Sequence, residues 1–255
     1  MRKRTWSNKA MKFVVPCMAF ALAACGNDTP TDASRSGGGA SNELGAVELV
    51  PVMGPERTII AFGDSLFAGY GLADGESYPD KLQSALRTRG INAMIANAGI
   101  SGDTSAAGLQ RLAFTLDAQE SAPDLFILEL GGNDLLRSIS PEQTRANLSA
   151  MLGELKARNV PVLIMGMRAP PNLGPEYQQE FDGLYGDLAA EFETALIPFW
   201  LEDIFQEPDL FQADRIHPTA EGIERLVTAT IDDVAAALPE DEAEQAEGAE
   251  PEAES

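Results

Sequence analysis

The sequence contains one histidine and two cysteines among its 255 residues. A single histidine, His217, excludes any metal site built on several histidines. Of the two cysteines, Cys17 falls in a segment expected to be removed, which leaves Cys25. One cysteine, itself expected to carry lipid, excludes a disulfide, a cysteine-based zinc site and a catalytic thiol. Basic residues are also scarce: 18 Lys and Arg stand against 40 Asp and Glu, for a formal net charge of −22. A nucleic-acid partner would require a basic stripe, and tight attachment to anionic lipid surfaces is equally disfavoured. Neither phosphate-binding glycine pattern occurs, which argues against a nucleotide or dinucleotide enzyme. No cofactor is expected.

The two ends read as something other than domain. Arg2, Lys3, Arg4, Lys9 and Lys12 precede the apolar run Phe13–Leu22, which Pro16 interrupts. That run is too short to span a membrane and has the form of a targeting signal over residues 1–24. Leu22-Ala23-Ala24-Cys25 resembles a bacterial lipobox, so lipid attachment at Cys25 is expected, with an ordinary secretory signal as the alternative. Gly26 in place of an aspartate points to the outer membrane where the enterobacterial sorting rule applies. The expected location is therefore the bacterial cell envelope, lipid-anchored on its periplasmic face. Residues 25–56, with the run Gly37-Gly38-Gly39, have the composition of a flexible tether. From Pro239 to Ser255 there are eight acids, no base and no aromatic, the composition of a solvated tail.

Between these ends, residues 57–238 alternate apolar runs with helical periodicity. The spacing predicts strands at 58–62, 91–96, 124–130, 160–166 and 195–200. Helices are predicted at 78–89, 105–116, 141–159, 175–194 and 218–238, the last beginning at Pro218. Strictly alternating strands and helices predict a mostly parallel sheet covered on both faces. In such sheets, chemistry collects at the C-terminal strand ends.

Ser65 sits at the end of the first strand, in Gly63-Asp64-Ser65-Leu66, and Gly63 allows a sharp turn before it. A serine at a strand end is ordinarily a turn residue. What sets this one apart is His217 in Asp214-Arg215-Ile216-His217-Pro218. If a histidine base activates the serine, His217 must be that base. Asp214, three residues earlier, can hold its Nδ1–H. Gly102 follows the second strand and Asn133 the third, at the same sheet edge. Asp64 and Asp134 read as residues that hold their loops by accepting backbone N–H groups.

Gly63-Asp64-Ser65-Leu66, Gly102, Gly131-Gly132-Asn133-Asp134 and Asp214-x-x-His217 resemble, in order, the four blocks of the GDSL/SGNH hydrolases. The text between them is most similar to the bacterial arylesterase, or thioesterase I/protease I/lysophospholipase I, branch. The resemblance implies a flavodoxin-like three-layer α/β/α sandwich with a five-stranded sheet of order 2-1-3-4-5. It implies a catalytic triad of Ser65, Asp214 and His217, and an oxyanion hole from Ser65, Gly102 and Asn133. The substrate would be a small-molecule or lipid ester, hydrolysed through an acyl-enzyme. Leu173, Phe205, Leu210 and Phe211 are candidates for an acyl pocket. A carbohydrate O-acetyl esterase and an inactive binding lipoprotein of the same fold are the alternatives.

Overall fold

The computed structural model describes residues 51–240. The expected signal, Cys25, most of the expected tether and the acidic tail from residue 241 lie outside the described residues.

Arg57–Gly63 forms β1, buried from Ile59 onward. A strand apolar on both faces requires cover on both. β1 runs parallel to β2 (Ala93–Gly99) on one side and to β3 (Leu125–Leu128) on the other. β4 (Val162–Met165) and β5 (Ala195–Ile197) extend the sheet, also parallel, in the order 2-1-3-4-5. The expected architecture is therefore the one observed.

The crossovers distribute the helices. Right-handed connections send the chain over one face on the way from β1 to β2, and over the other once it turns back towards β3. α2 (Tyr78–Thr88) accordingly packs with the C-terminal helix α7 (Ala220–Ala237). On the other side α3 (Ser105–Asp117), α5 (Pro141–Ala157) and α6 (Pro175–Phe192) pack in sequence. Ser140 caps α5 ahead of Pro141, as the sequence predicts, accepting the Gln143 N–H at 3.3 Å.

Besides strand and helix ends that shift by one to three residues, three details differ from the sequence reading. β2 lies two to three residues later, because its register with β1 continues to Gly63 opposite Gly99. Polar Asn97 belongs to this edge strand, and its amide donates to the Phe67 carbonyl at 2.8 Å. The last helix starts at Ala220 rather than Pro218. Thr219 is its cap, accepting the Gly222 N–H at 3.2 Å, while Pro218 forms an isolated bridge with Phe211. Finally, two short helices, α1 (Ser65–Ala68) and α4 (Gly132–Leu136), occupy stretches that read as loops. α1 rests on an aromatic cluster: the Phe67 ring stacks on Tyr78 at 5.3 Å and meets Trp200 edge-on at 5.6 Å. All three rings are buried, so the segment carrying Ser65 stands on a rigid floor.

Candidate active site

Ser65 is the first residue of α1, directly after β1. Asp64 caps that helix, its Oδ1 accepting the Leu66 N–H at 3.0 Å. The turn leaves no room at Gly63, where a Cβ would lie 2.7 Å from Glu129 Oε2 and 2.9 Å from the Glu129 carbonyl. Glu129 follows β3, and its N–H continues the ladder to the Phe62 carbonyl at 2.9 Å.

His217 arrives from 152 residues away. His217 Nε2 lies 2.8 Å from Ser65 Oγ, and His217 Nδ1 lies 2.7 Å from Asp214 Oδ2. The carboxylate fixes the Nδ1–H tautomer, which leaves Nε2 to accept the serine proton. Asp214 Oδ1 also accepts the N–H groups of Ile216 (2.9 Å) and His217 (3.1 Å). The residual burial of the Asp214 carboxyl works to raise its pKa. The hydrogen bonds from the His217 ring and from these two amides outweigh it and bring the value down to about 2. Asp214 is therefore ionised at any pH at which the protein would work.

Two contacts steady this arm. The Tyr70 ring lies against the His217 ring, with centroids 4.4 Å apart. The Gln212 amide donates both to the Tyr70 carbonyl (2.8 Å) and to the Pro218 carbonyl (2.9 Å), and the Gln212 N–H donates to the His217 carbonyl at 2.7 Å. Gln212 thus fastens the loop after Ser65 to the loop that carries the base.

Asn133 opens α4 one residue after its start, and its Nδ2 donates one hydrogen to Asp64 Oδ2 at 2.9 Å. The second amide hydrogen remains for another acceptor. Gly131, at φ 121°, could not be another residue, since a Cβ would lie 2.2 Å from the Tyr185 hydroxyl. Asp134 holds its loop as read, although side chains share the work. It accepts the Ser105 N–H at 2.8 Å and the Thr144 hydroxyl at 3.0 Å.

Gly102, at φ 87°, lies in the turn after β2. Its carbonyl accepts from Arg137 at 2.8 Å. Next to it, Asp103 pairs with Arg111 at 2.6 Å, and the same guanidinium donates to the Gly63 carbonyl at 3.0 Å. One arginine therefore ties the Gly102 turn to the Ser65 turn.

A pocket of about 520 Å³ opens beside Ser65, Asn133 and His217. Leu173, Phe205 and Phe211 line it, together with Leu135, Met167 and Leu201. Leu210, a candidate from sequence, does not. Its side chain is buried, and its carbonyl accepts the Thr219 N–H at 2.8 Å at the start of α7. Gly102 is likewise not among the lining residues.

Glu129 is a part of the site that sequence reasoning did not single out. It is fully buried beneath the Ser65 turn. Its Oε2 accepts the Asp64 N–H at 3.3 Å, while Oε1 has no partner among the described residues. Burial, and then the neighbouring Asp64 carboxylate, raise its pKa well above the ordinary value of 4.5. Burial raises Asp64 too, against the hydrogen bonds from Leu66 and Asn133. With two donors on Asp64 and one on Glu129, the negative charge belongs on Asp64 and the proton on Glu129. An acid that keeps its proton only when folded stabilises the fold fully below its unfolded pKa. That contribution is lost as pH rises from about 4.5 through the folded value. The slope is about 1.4 kcal/mol per pH unit across the window. Glu129→Gln should remove this slope: its melting temperature should decline less than that of the wild type between pH 5 and 8. Parallel melting curves across that range would refute the protonated assignment.

Glu129, Gln212, Tyr70 and Arg111 were all missed for one reason. Each reaches the site through a backbone carbonyl, a backbone N–H or a ring face brought close by the fold (Arg111 through the Gly63 carbonyl, beside its pair with Asp103), and no spacing marks such contacts. A glutamate inside an otherwise apolar strand run was the one legible signal.

Comparison with known proteins bears on this geometry. Residues 61–225 match the GDSL-like Lipase/Acylhydrolase family. Esterase TesA of Pseudomonas aeruginosa is 40% identical over 182 residues, 71% of this chain and 90% of the relative. Thioesterase 1/protease 1/lysophospholipase L1 of Escherichia coli K12 is 39% identical over 161 residues, 63% of this chain and 75% of the relative. Among solved structures, AlinE4, an SGNH-hydrolase family esterase, superposes with a TM-score of 0.63 at 62% identity, over 74% of this chain and all of that one. A strand-end serine within reach of a histidine–aspartate pair, on a 2-1-3-4-5 sheet and with these relatives, leaves one assignment: the chain belongs to the GDSL/SGNH lipase–acylhydrolase family, whose members here are esterases acting on ester bonds.

Proposed function

We propose that this esterase acts through an acyl-enzyme on Ser65 and takes esters with an apolar acyl chain. The observation that carries the reading is the continuous relay from Asp214 through His217 to Ser65 Oγ, at 2.7 and 2.8 Å, beside an apolar-walled pocket. His217 Nε2 takes the Ser65 proton as Oγ attacks the ester carbonyl. The tetrahedral oxyanion is met by the Ser65 N–H, the Gly102 N–H and the free amide hydrogen of Asn133. His217 then gives its proton to the leaving alcohol, and water repeats the sequence on the acyl-enzyme. Asp214 stays ionised throughout and stabilises the imidazolium.

Leu135, Met167, Leu173 and Phe205 favour an acyl chain over a carbohydrate acetate as the group held. Hydrolysis of p-nitrophenyl esters from acetate to dodecanoate tests this. Each methylene that enters the pocket adds up to about 0.8 kcal/mol, roughly fourfold in kcat/KM, until the pocket is full. A maximum at acetate would instead favour the deacetylase reading. Thioester and lysophospholipid hydrolysis belong to the same reading and are checked on the same preparation.

Placement in the cell envelope on a lipid anchor rests on the sequence Leu22-Ala23-Ala24-Cys25 alone. Metabolic labelling with a palmitate probe should mark the protein and should fail in Cys25→Ser. Equal labelling of both would remove the anchor.

A further inference from the structure

The charge of the pocket is opposite to that of the chain. Over the whole sequence acids outnumber bases 40 to 18. Among the residues lining the pocket there are two arginines, Arg168 and Arg215, and one acid, Asp64. Both carboxylate oxygens of Asp64 are engaged, by the Leu66 N–H and by Asn133. Arg168 is engaged too: it pairs with Glu202 at 2.7 Å and lies over the Phe199 ring. Arg215 has no ion-pair partner among the described residues.

Its backbone adds a second observation. Arg215 adopts φ 62°, a left-handed conformation that side chains other than those of glycine and asparagine resist. The turn imposes it, since the N–H groups of residues 216 and 217 both fold back onto Asp214 Oδ1. Glycine would fit there without strain. A strained arginine, standing between the acid and the base of the relay, asks for a function of its side chain.

The position suggests which part of the substrate it meets. His217 delivers its proton to the oxygen of the departing alcohol, so the alcohol portion lies on the His217 side of the reacting carbon. Arg215 is two residues from His217 and lines the same pocket. A guanidinium offers a fork of donors matched to an oxyanion such as a carboxylate or a phosphate. On a surface that otherwise repels anions at long range, a local cation sorts among substrates.

We propose that Arg215 determines specificity, selecting esters whose alcohol portion carries a negative charge. The inference rests on the Ser65 esterase reading above. Its test compares two aryl butyrates, 4-carboxyphenyl butyrate and its neutral amide, 4-carbamoylphenyl butyrate. The quantity read is the ratio of their kcat/KM values, and comparing this ratio between enzymes cancels the difference in leaving-group reactivity. In Arg215→Gln the anionic-to-neutral ratio should fall about fivefold, the size of a well-formed but solvent-exposed ion pair. Arg215→Lys should keep most of the ratio. Arg215→Gly, which suits the backbone and so folds, should match the glutamine variant. Added salt should lower the wild-type ratio and leave that of the glutamine variant flat. A ratio that is the same in wild type and Arg215→Gln, with both esters hydrolysed, overturns the proposal alone. Hydrolysis of neither ester by the wild type overturns the esterase reading and this proposal together.

Discussion

Ser65→Ala should lower kcat on p-nitrophenyl esters by on the order of 10⁶-fold, the loss seen when a serine hydrolase loses its nucleophile. The variant loses one part-buried hydrogen bond, from the serine hydroxyl to His217 Nε2, so it should fold and lose no more than about 1 kcal/mol of stability. Alanine leaves the pocket and the Asn133 amide in place, and any residual turnover reflects binding and oxyanion stabilisation without a covalent step. His217→Ala should be about as severe as Ser65→Ala. The double variant should be no worse than either, because the two residues act as one unit. Asp214→Asn should cost about 10⁴-fold, since the relay then loses the tautomer that points a free Nε2 at Ser65. A fluorophosphonate probe should label the wild type and not Ser65→Ala. Retention of a tenth of the activity in Ser65→Ala would move the nucleophile elsewhere.

Asn133→Ala should lower kcat by about 10²–10³-fold with KM little changed, because its free N–H matters most when charge appears on the carbonyl oxygen. The contact at 2.9 Å between Asn133 Nδ2 and Asp64 Oδ2 gives this prediction a second arm. Asp64 fixes the rotamer of the amide, so Asp64→Ala should also lose kcat. In the double variant the losses should fall well short of additive, as they do for residues sharing one contact. Asp64 also caps α1, so its variant should melt earlier, and Asn133→Ala, which takes one of two donors from that buried carboxylate, should melt earlier too. A change confined to KM in Asn133→Ala would make it a ground-state binding residue instead.

The relay and the sheet were legible because each has a strong local signature. β1, β3 and β4 are apolar on both faces and read as continuous runs. His217 was found by elimination, there being one histidine to find. Phe205 and Phe211 were found as apolar side chains in an irregular stretch before the base, but that same criterion also selected Leu210. Composition cannot say which side of a turn faces a pocket, and Leu210 is buried in the core away from the lining. Pro218 misled for a related reason. A proline near a helix start is expected inside the first turn, yet Thr219 supplies the better cap. Glu129 was hidden inside the strand run Asp124–Leu130, where its neighbours Ile127, Leu128 and Leu130 set the reading and its charge was averaged away.

The distance along the chain between Ser65 and His217 has a consequence for the timing of synthesis. The turn after β1 that carries Ser65 is made early, and His217 is made some 150 residues later. At about 5–20 residues per second, roughly 8–30 seconds separate the two on the ribosome. Through that interval the nascent chain holds a serine with no base. Gln212, which fastens the two loops, arrives at almost the same moment as His217. On the proposed Ser65–His217 relay, the nascent protein stays silent as a hydrolase until residue 217 has been made. An ester that it will later cleave passes it unharmed while it is being made.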